Sequence, residues 1–228
     1  MTLAGRRRLA AAALSALALG GCADLMRPPR VGPPAPQLSD RKAEKRYQQV
    51  LGSWTRRAEI YDGLDSRLFV AATFQAMAFR EAKAERVAAI RSLPAPEAQA
   101  LLVAQRKEHD EALELMLAVH SNERRFDDLS RPESVWRLAL VSEAGEAEPL
   151  SVEKLPRPDA NLRALYPYLD TYWTGYRVHF PRTFANGAQV LPQKAQTVLV
   201  RLSSSLGKAE LRWDLAAPPP VSGAIAWP

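Results

Sequence analysis

Helical spacing of apolar residues predicts one helix early in the chain and a pair of helices further on. Four apolar residues recur at this spacing between positions 40 and 57: Tyr47, Val50, Leu51 and Trp54. Ser39 or Asp40 precedes them as an N-cap, since a side-chain oxygen there accepts from the first backbone N–H groups. Residues 75–109 are rich in Ala, Glu, Lys, Arg and Gln, which are strong helix formers, and prolines interrupt them at residues 93–96.

A hairpin is predicted ahead of the helical pair. Residues 54–61 and 67–74 flank a short loop, Asp62-Gly63-Leu64-Asp65, and glycine-containing loops of this length are typical of hairpins. The apolar content of residues 68–74 also fits a buried helix. The adjoining turn and the aromatic and β-branched residues favour a strand.

Period-two alternation of apolar residues dominates the remaining chain. It is found over residues 113–120, 135–140, 171–180, 197–203 and 207–214. Shorter features lie between these strands: a strand near Leu150 and Val152, a helical turn at 160–166 and a turn at Asn186-Gly187.

These elements together predict the fold class. Short strands separated by Gly, Pro and Asn turns are typical of a sandwich, and about eight strands are enough for two sheets. The predicted fold is mainly β, in the α+β class. It is a β-sandwich-like domain over residues 39–215, with an N-terminal helix and a helical-hairpin insertion at about 75–109.

The first residues of the chain have the pattern of a secretory signal. Arg6, Arg7 and Arg8 precede an apolar run at residues 9–19, and small residues follow it. An apolar run of this length spans only about 17 Å as a helix, well short of a hydrocarbon core of about 30 Å. The pattern therefore predicts a signal peptide at residues 1–21 rather than a permanent membrane span.

The signal ends in Leu19-Gly20-Gly21-Cys22, which resembles the lipobox of bacterial lipoproteins. The resemblance covers residues 1–22. It implies that the signal peptidase reads Leu19, Gly20 and Gly21, that the Cys22 thiol receives a diacylglyceryl group, and that the new amine is acylated after cleavage. Ala23 stands where the family's inner-membrane retention signal usually has an aspartate. The resemblance thus implies a lipid anchor, at Cys22, in the outer membrane of a Gram-negative cell envelope, with the bilayer as a partner.

Prolines mark both ends of the predicted domain. Residues 22–38 contain five of them, which favour extended polyproline II, and residues 23–38 would then reach about 50 Å. We interpret this segment as a spacer; docking of its prolines on an aromatic groove is the alternative. Residues 216–228 contain three consecutive prolines, and we expect a flexible tail.

Charge does not indicate a nucleic-acid partner. The chain has 228 residues, with 31 Lys and Arg against 25 Asp and Glu and a formal charge of +6. Removing residues 1–21 deletes three arginines and no acids, so 28 basic and 25 acidic side chains remain. Much of the excess of basic over acidic residues thus belongs to the predicted export signal. The basic residues between 40 and 57 are open to two interpretations, a solvated helix face or a contact with anionic headgroups.

The sequence contains no pattern that supports catalysis or a cofactor. One cysteine excludes an intrachain disulfide and a cysteine-rich zinc site. The histidines form no close metal-binding pair, and neither a Gly-x-Ser-x-Gly motif nor a glycine-rich phosphate loop is present. Acidic residues surround His109, but adjacent helix residues do not face one another. We predict a non-enzymatic protein without a cofactor or metal; an envelope hydrolase or a small-ligand carrier is the alternative.

A partner-binding face is predicted in the C-terminal third. If strands 171–180, 197–203 and 207–214 are neighbours, basic and aromatic side chains share one solvent face: Trp173, Arg177, His179, Arg201, Lys208 and Arg212. Such a face suits an acidic envelope protein or an anionic glycan, whereas an ordinary polar strand face is the alternative. The predicted function is a membrane-anchored envelope lipoprotein that acts as a non-catalytic interaction or assembly module.

Overall fold

The computed structural model describes residues 40–215. The lipobox with Cys22, the proline-rich segment and the tail at 216–228 lie outside the described residues. The helices are α1 (Arg41–Trp54), α2 (Met77–Ile90), α3 (Ala95–Glu111) and α4 (Ala160–Leu165), with a 3₁₀ turn at Arg124–Phe126. The strands are β1 (Thr55–Asp62), β2 (Asp65–Phe74), β3 (Leu113–His120), β4 (Arg137–Ser142), β5 (Gly145–Ala147), β6 (Ser151–Lys154), β7 (Thr174–Phe180), β8 (Thr197–Ser204) and β9 (Gly207–Asp214).

These strands form two antiparallel sheets. The five-stranded sheet has the order β1-β2-β3-β7-β6, and the four-stranded sheet has the order β5-β4-β8-β9. β1 and β2 form the predicted hairpin, so the interpretation of residues 68–74 as a strand is confirmed. The predicted fold class, mainly β with accompanying helices, is also confirmed.

The inner faces of the two sheets share one apolar core, because alternate residues of each strand point inward. Leu68 and Val70 of β2 belong to it, together with Val198 and Val200 of β8. Trp213 of β9 is fully buried, and its Nε1 donates to the carbonyl oxygen of Trp54 at 2.8 Å. This bond joins the end of α1 to the edge of the four-stranded sheet.

Helices cover part of the outer face of the five-stranded sheet. Asp40 caps α1, since its Oδ1 accepts from the backbone N–H groups of Lys42 and Ala43 at 2.9 and 3.1 Å. Further along α1, the Tyr47 hydroxyl donates to the carbonyl oxygen of Leu165 at 2.8 Å. α1 is therefore fixed to α4.

The covering helices also bury the outward side chains of β3, among them Glu114 and Met116. The spacing of Phe79, Ala82, Ile90 and Leu93 along the chain would allow them to line one apolar face of the helical insertion. Of these only Phe79 is buried, and α2 instead buries Arg80, Ala84 and Arg86. A buried arginine is tolerated there because acidic side chains pair with it.

The helical insertion begins and ends at neighbouring strands. β2 and β3 pair directly, with Phe74 opposite Leu115. Just beyond this pair, the backbone N–H of Gln75 donates to the carbonyl oxygen of Glu114 at 3.0 Å. The ends of the insertion are therefore one hydrogen bond apart.

Candidate functional site

Four aromatic side chains form a continuous line on the outer face of the five-stranded sheet. We call Tyr61, Phe69, His120 and Trp173 the aromatic row. The ring centroids of Tyr61 and Phe69 are 6.1 Å apart, those of Phe69 and His120 are 6.2 Å apart, and those of His120 and Trp173 are 6.3 Å apart. The row crosses β1, β2 and β3 and reaches the residue before β7.

Strand register places these rings side by side. Phe69 of β2 is directly opposite His120 of β3. A register shift between Ile60 and Tyr61 leaves Ile60 in the core while Tyr61 is 54% exposed. His120 Nδ1 donates to the carbonyl oxygen of Tyr172 at 3.1 Å, since a carbonyl can only accept. The row is thus built into the sheet rather than carried on a free loop.

The aromatic row lies next to the part of the outer face of the five-stranded sheet that other side chains cover. Leu169 sits over Gly175, where an added Cβ would come within 2.9 Å of the Leu169 Cδ2 atom. Closer to the hairpin the side chains emerge: Phe69, His120 and Trp173 are half-buried, and Tyr172 is 66% exposed. Solvent therefore reaches the aromatic row while the rest of the outer face around Gly175 is closed.

Carboxylates lie near the two ends of the aromatic row, beside Tyr61 and at the β1–β2 hairpin on one side and next to Tyr172 on the other. We call five of them the acidic rim: Glu59, Asp62, Asp65, Glu123 and Asp170. The Tyr61 hydroxyl donates to Glu59 Oε2 at 2.8 Å, and the backbone N–H of Tyr172 donates to Asp170 Oδ1 at 2.8 Å. Arg67 Nη2 binds Asp62 Oδ2 at 2.8 Å, and Arg67 Nη1 lies 4.0 Å from Glu123 Oε1.

Two small cavities meet at Arg67, at the hairpin end of the domain. One has a volume of about 190 Å³ and is lined by residues that include Ser66, Asn122 and Phe126. The other has a volume of about 380 Å³ and is lined by residues that include Tyr61 and Asp62. Polar side chains form much of both linings, which suits surface recognition better than the enclosure of an apolar ligand.

A separate cluster of buried charges lies between α2, α3 and β3. Arg80 is 1% exposed and Glu114 is 7% exposed, and Arg80 Nη2 lies 2.5 Å from Glu114 Oε2. Arg80 Nη1 donates to Glu108 Oε2 at 3.0 Å, and its Nε donates to the carbonyl oxygen of Gln75 at 3.1 Å. Every nitrogen of this guanidinium has an acceptor, which indicates a structural role.

Lys83 and a group of tyrosines extend this cluster. Burial lowers the pKa of Lys83 to about 8, and the nearby Glu114 carboxylate opposes the shift. Lys83 Nζ donates to Gln75 Oε1 at 3.0 Å, and the Tyr166 hydroxyl donates to the same oxygen at 3.1 Å. Burial raises the pKa of Tyr166 well above its usual range. These hydrogen bonds give Lys83 and Tyr166 a common structural partner in Gln75.

The predicted partner-binding face in the C-terminal third is wrong as a single surface. It required strands 171–180, 197–203 and 207–214 to be neighbours, but β7 lies in one sheet and β8 and β9 lie in the other. Trp173, Arg177 and His179 belong to the five-stranded sheet or its edge, whereas Arg201, Lys208 and Arg212 belong to the four-stranded sheet. The two groups project from the outer faces of different sheets.

Several of these charges already have partners. Arg177 Nε lies 3.6 Å from Glu114 Oε1, and His179 Nδ1 is within 3.0 Å of the Ser151 hydroxyl. Arg201 Nε donates to Glu210 Oε1 at 3.0 Å. Of the predicted residues, Trp173 alone belongs to the aromatic row.

Sequence reasoning missed Tyr61, Phe69 and His120 as members of one site. Each was placed correctly on a predicted strand. The missing information was the pairing of β2 with β3, which are separated along the chain by two helices. The available signal was weak: a histidine ends one alternating strand and a phenylalanine lies near the start of another.

Residues 40–215 contain no helix long and apolar enough to cross a bilayer. The same residues contain no group of three or more His, Cys, Asp or Glu side chains arranged to hold a metal ion. Leu19, Gly20, Gly21 and Cys22 lie outside this range.

Comparison with known proteins adds little to this geometry. The chain is similar to a solved structure described as a novel protein of unknown function from Burkholderia pseudomallei K96243, with 14% identity and a TM-score of 0.39. The match covers 79% of this chain and 86% of that chain. No family model and no curated protein matches the chain.

Proposed function

We propose that the chain is an exported lipoprotein, anchored at acylated Cys22 in the outer membrane, whose domain is a non-catalytic interaction module. The aromatic row is its contact surface. The observation that carries this proposal is the line of four partly exposed rings on a sheet face that helices cover only in part; Tyr172, which is 66% exposed, adjoins Trp173 along the chain.

Physical chemistry favours a contact role for such a line. Aromatic side chains bring a large apolar area to an interface and lose few rotamers on binding, so they dominate the residues that carry binding energy. Here the backbone pairing of β2 with β3 already fixes two of the rings, which lowers the ordering cost further. The lipobox resemblance supplies the location, because a lipid anchor needs no membrane-binding surface on the domain.

Replacing Cys22 with alanine is expected to abolish acylation and to release the chain from the membrane fraction, because only a thiol forms the thioether to the lipid. Metabolic labelling with palmitate and fractionation of the cell envelope measure both effects. Ala23→Ser is the matched control and is expected to remain labelled. Unchanged labelling and fractionation of Cys22→Ala would disprove the lipoprotein assignment.

A photoreactive phenylalanine analogue placed at Tyr61 or Tyr172 is expected to crosslink to a discrete partner in intact cells, since Tyr61 is an exposed member of the row and Tyr172 is exposed next to Trp173. The yield is expected to exceed that from control positions by about tenfold, as for a specific contact. Val103 and Leu150 are the controls, being exposed apolar residues outside the row. Equal products at all four positions would contradict the proposed contact surface.

A further inference from the structure

We propose that the aromatic row and the acidic rim bind a basic peptide segment of a partner protein. This inference rests on the proposed role of the row as a contact surface and adds the chemistry of the partner. In the complex, arginine or lysine side chains of the segment lie against the rings, and their N–H groups donate hydrogen bonds to the rim carboxylates.

The charges at this end of the domain favour a cation. The acidic rim contributes five carboxylates, and two arginines beside it whose side chains the structure describes, Arg67 and Arg125, are held by rim residues. Arg67 pairs with Asp62 and Glu123, and Arg125 Nη2 lies 2.5 Å from Glu123 Oε2. Arg57 lies two residues before Glu59 on β1, so it reduces this excess without reversing it. A local negative excess is notable in a chain with more basic than acidic residues.

The rings suit the same partner. Cations are attracted to the faces of aromatic rings, and arginine also stacks on them because its guanidinium is planar. The fold itself contains this contact: the guanidinium carbon of Arg125 lies 4.7 Å from the Phe126 ring centroid, beside the rim. The guanidinium carbon of Arg86 lies 4.3 Å from the Tyr47 ring centroid.

An anionic partner is disfavoured at this surface. The sequence predicts an acidic protein or an anionic glycan from basic residues, but those residues are divided between two sheets. The rings that the structure brings together are bordered by carboxylates, which repel anionic sugars and anionic lipid headgroups. Charge complementarity at the aromatic row therefore favours a positively charged ligand, whereas the sequence predicts a negatively charged one.

Three probes test the inference on the full chain in neutral detergent. They are a short peptide of alternating arginine and serine, the same peptide with glutamate in place of arginine, and a neutral oligosaccharide of N-acetylglucosamine. Titration calorimetry gives the affinities, and the part of the tryptophan fluorescence change that is lost in Trp173→Ala reports on Trp173. The basic peptide is expected to bind at least about tenfold more tightly than either other probe, with an affinity that falls as salt is added.

Variants locate the binding. Trp173→Ala and the triple variant Glu59→Gln, Asp62→Asn, Asp65→Asn are each expected to lower the affinity for the basic peptide by about tenfold. Leu150→Ala is the control for the ring. Glu97→Gln combined with Glu111→Gln and Glu148→Gln is the control for charge, since these exposed carboxylates lie outside the rim. Both controls are expected to bind as the unaltered chain does.

Two results would overturn the inference. One is equal or tighter binding of the acidic peptide or the oligosaccharide. The other is an equal loss of affinity in the control variants, which would indicate nonspecific attraction. The crosslinking experiment is independent: specific crosslinks without basic-peptide binding would retain the contact surface and reject its proposed chemistry, whereas the reverse would reject the cellular contact alone.

Discussion

Replacing Arg80 with methionine is expected to lower the free energy of unfolding by about 3–5 kcal/mol. The cause is the buried carboxylate left behind: Glu114 is 7% exposed, loses the partner that lies 2.5 Å from its Oε2, and keeps only the more distant contact of its Oε1 with Arg177 Nε at 3.6 Å. Methionine is similar in length and apolar, so the volume is largely kept and the lost charge is the main change. Urea unfolding followed by tryptophan fluorescence measures the effect.

Two further variants separate buried pairing from surface charge. Arg106→Met removes an exposed arginine whose Nη2 lies 3.4 Å from Glu81 Oε1, and it is expected to cost about 1 kcal/mol or less. The double variant Arg80→Met, Glu114→Met is expected to recover much of the loss, because the buried carboxylate is removed together with its partner. Similar costs for Arg80→Met and Arg106→Met would show that the buried pair does not stabilise the helical cover.

Replacing Trp213 with alanine is expected to lower the free energy of unfolding by about 3–5 kcal/mol. The side chain is fully buried, and its ring centroid lies 5.8 Å from that of Phe74 on the opposite sheet. Trp213→Phe keeps most of the apolar contact but removes the donor to the carbonyl oxygen of Trp54. We expect it to cost about 1–3 kcal/mol, and urea unfolding distinguishes the two variants.

Trp173→Ala is the matched control for this series. Its ring is half-buried in the aromatic row, so the expected cost is about 1 kcal/mol or less. The comparison also supports the binding experiment, because a loss of affinity in Trp173→Ala then cannot arise from unfolding. A cost equal to that of Trp213→Ala would assign Trp173 to the core and contradict its role as a contact residue.

Local signals were sufficient to predict most of the elements. Asp40 precedes the first apolar helical face and caps α1. Gly63 has a φ of +62°, a conformation that other residues adopt with difficulty, and it marks the turn between β1 and β2. Alternation then identified β7, β8 and β9, because one face of each strand is buried in the core.

Long-range pairing was beyond the same reasoning. Nothing in α2 alone shows that Arg80 meets Glu114, which comes after another complete helix. The sequence likewise does not show that β7 and β8 belong to different sheets, because apolar and polar residues alternate in the same way in both strands. The aromatic row and the division of the predicted basic face therefore both required the register and order of the strands.

The hydrogen bond between Gln75 and Glu114 has a consequence for the order in which the domain folds. β2 and β3 can pair only after the intervening chain has brought its ends together, and closing a long unstructured loop is slow. α2 and α3 are neighbours in sequence, so their contacts form locally and shorten that search. The Arg80–Glu114 pair cannot form until both events are complete, because its two members lie on α2 and β3. We therefore expect the helical insertion to form early and the buried ion pair to close late.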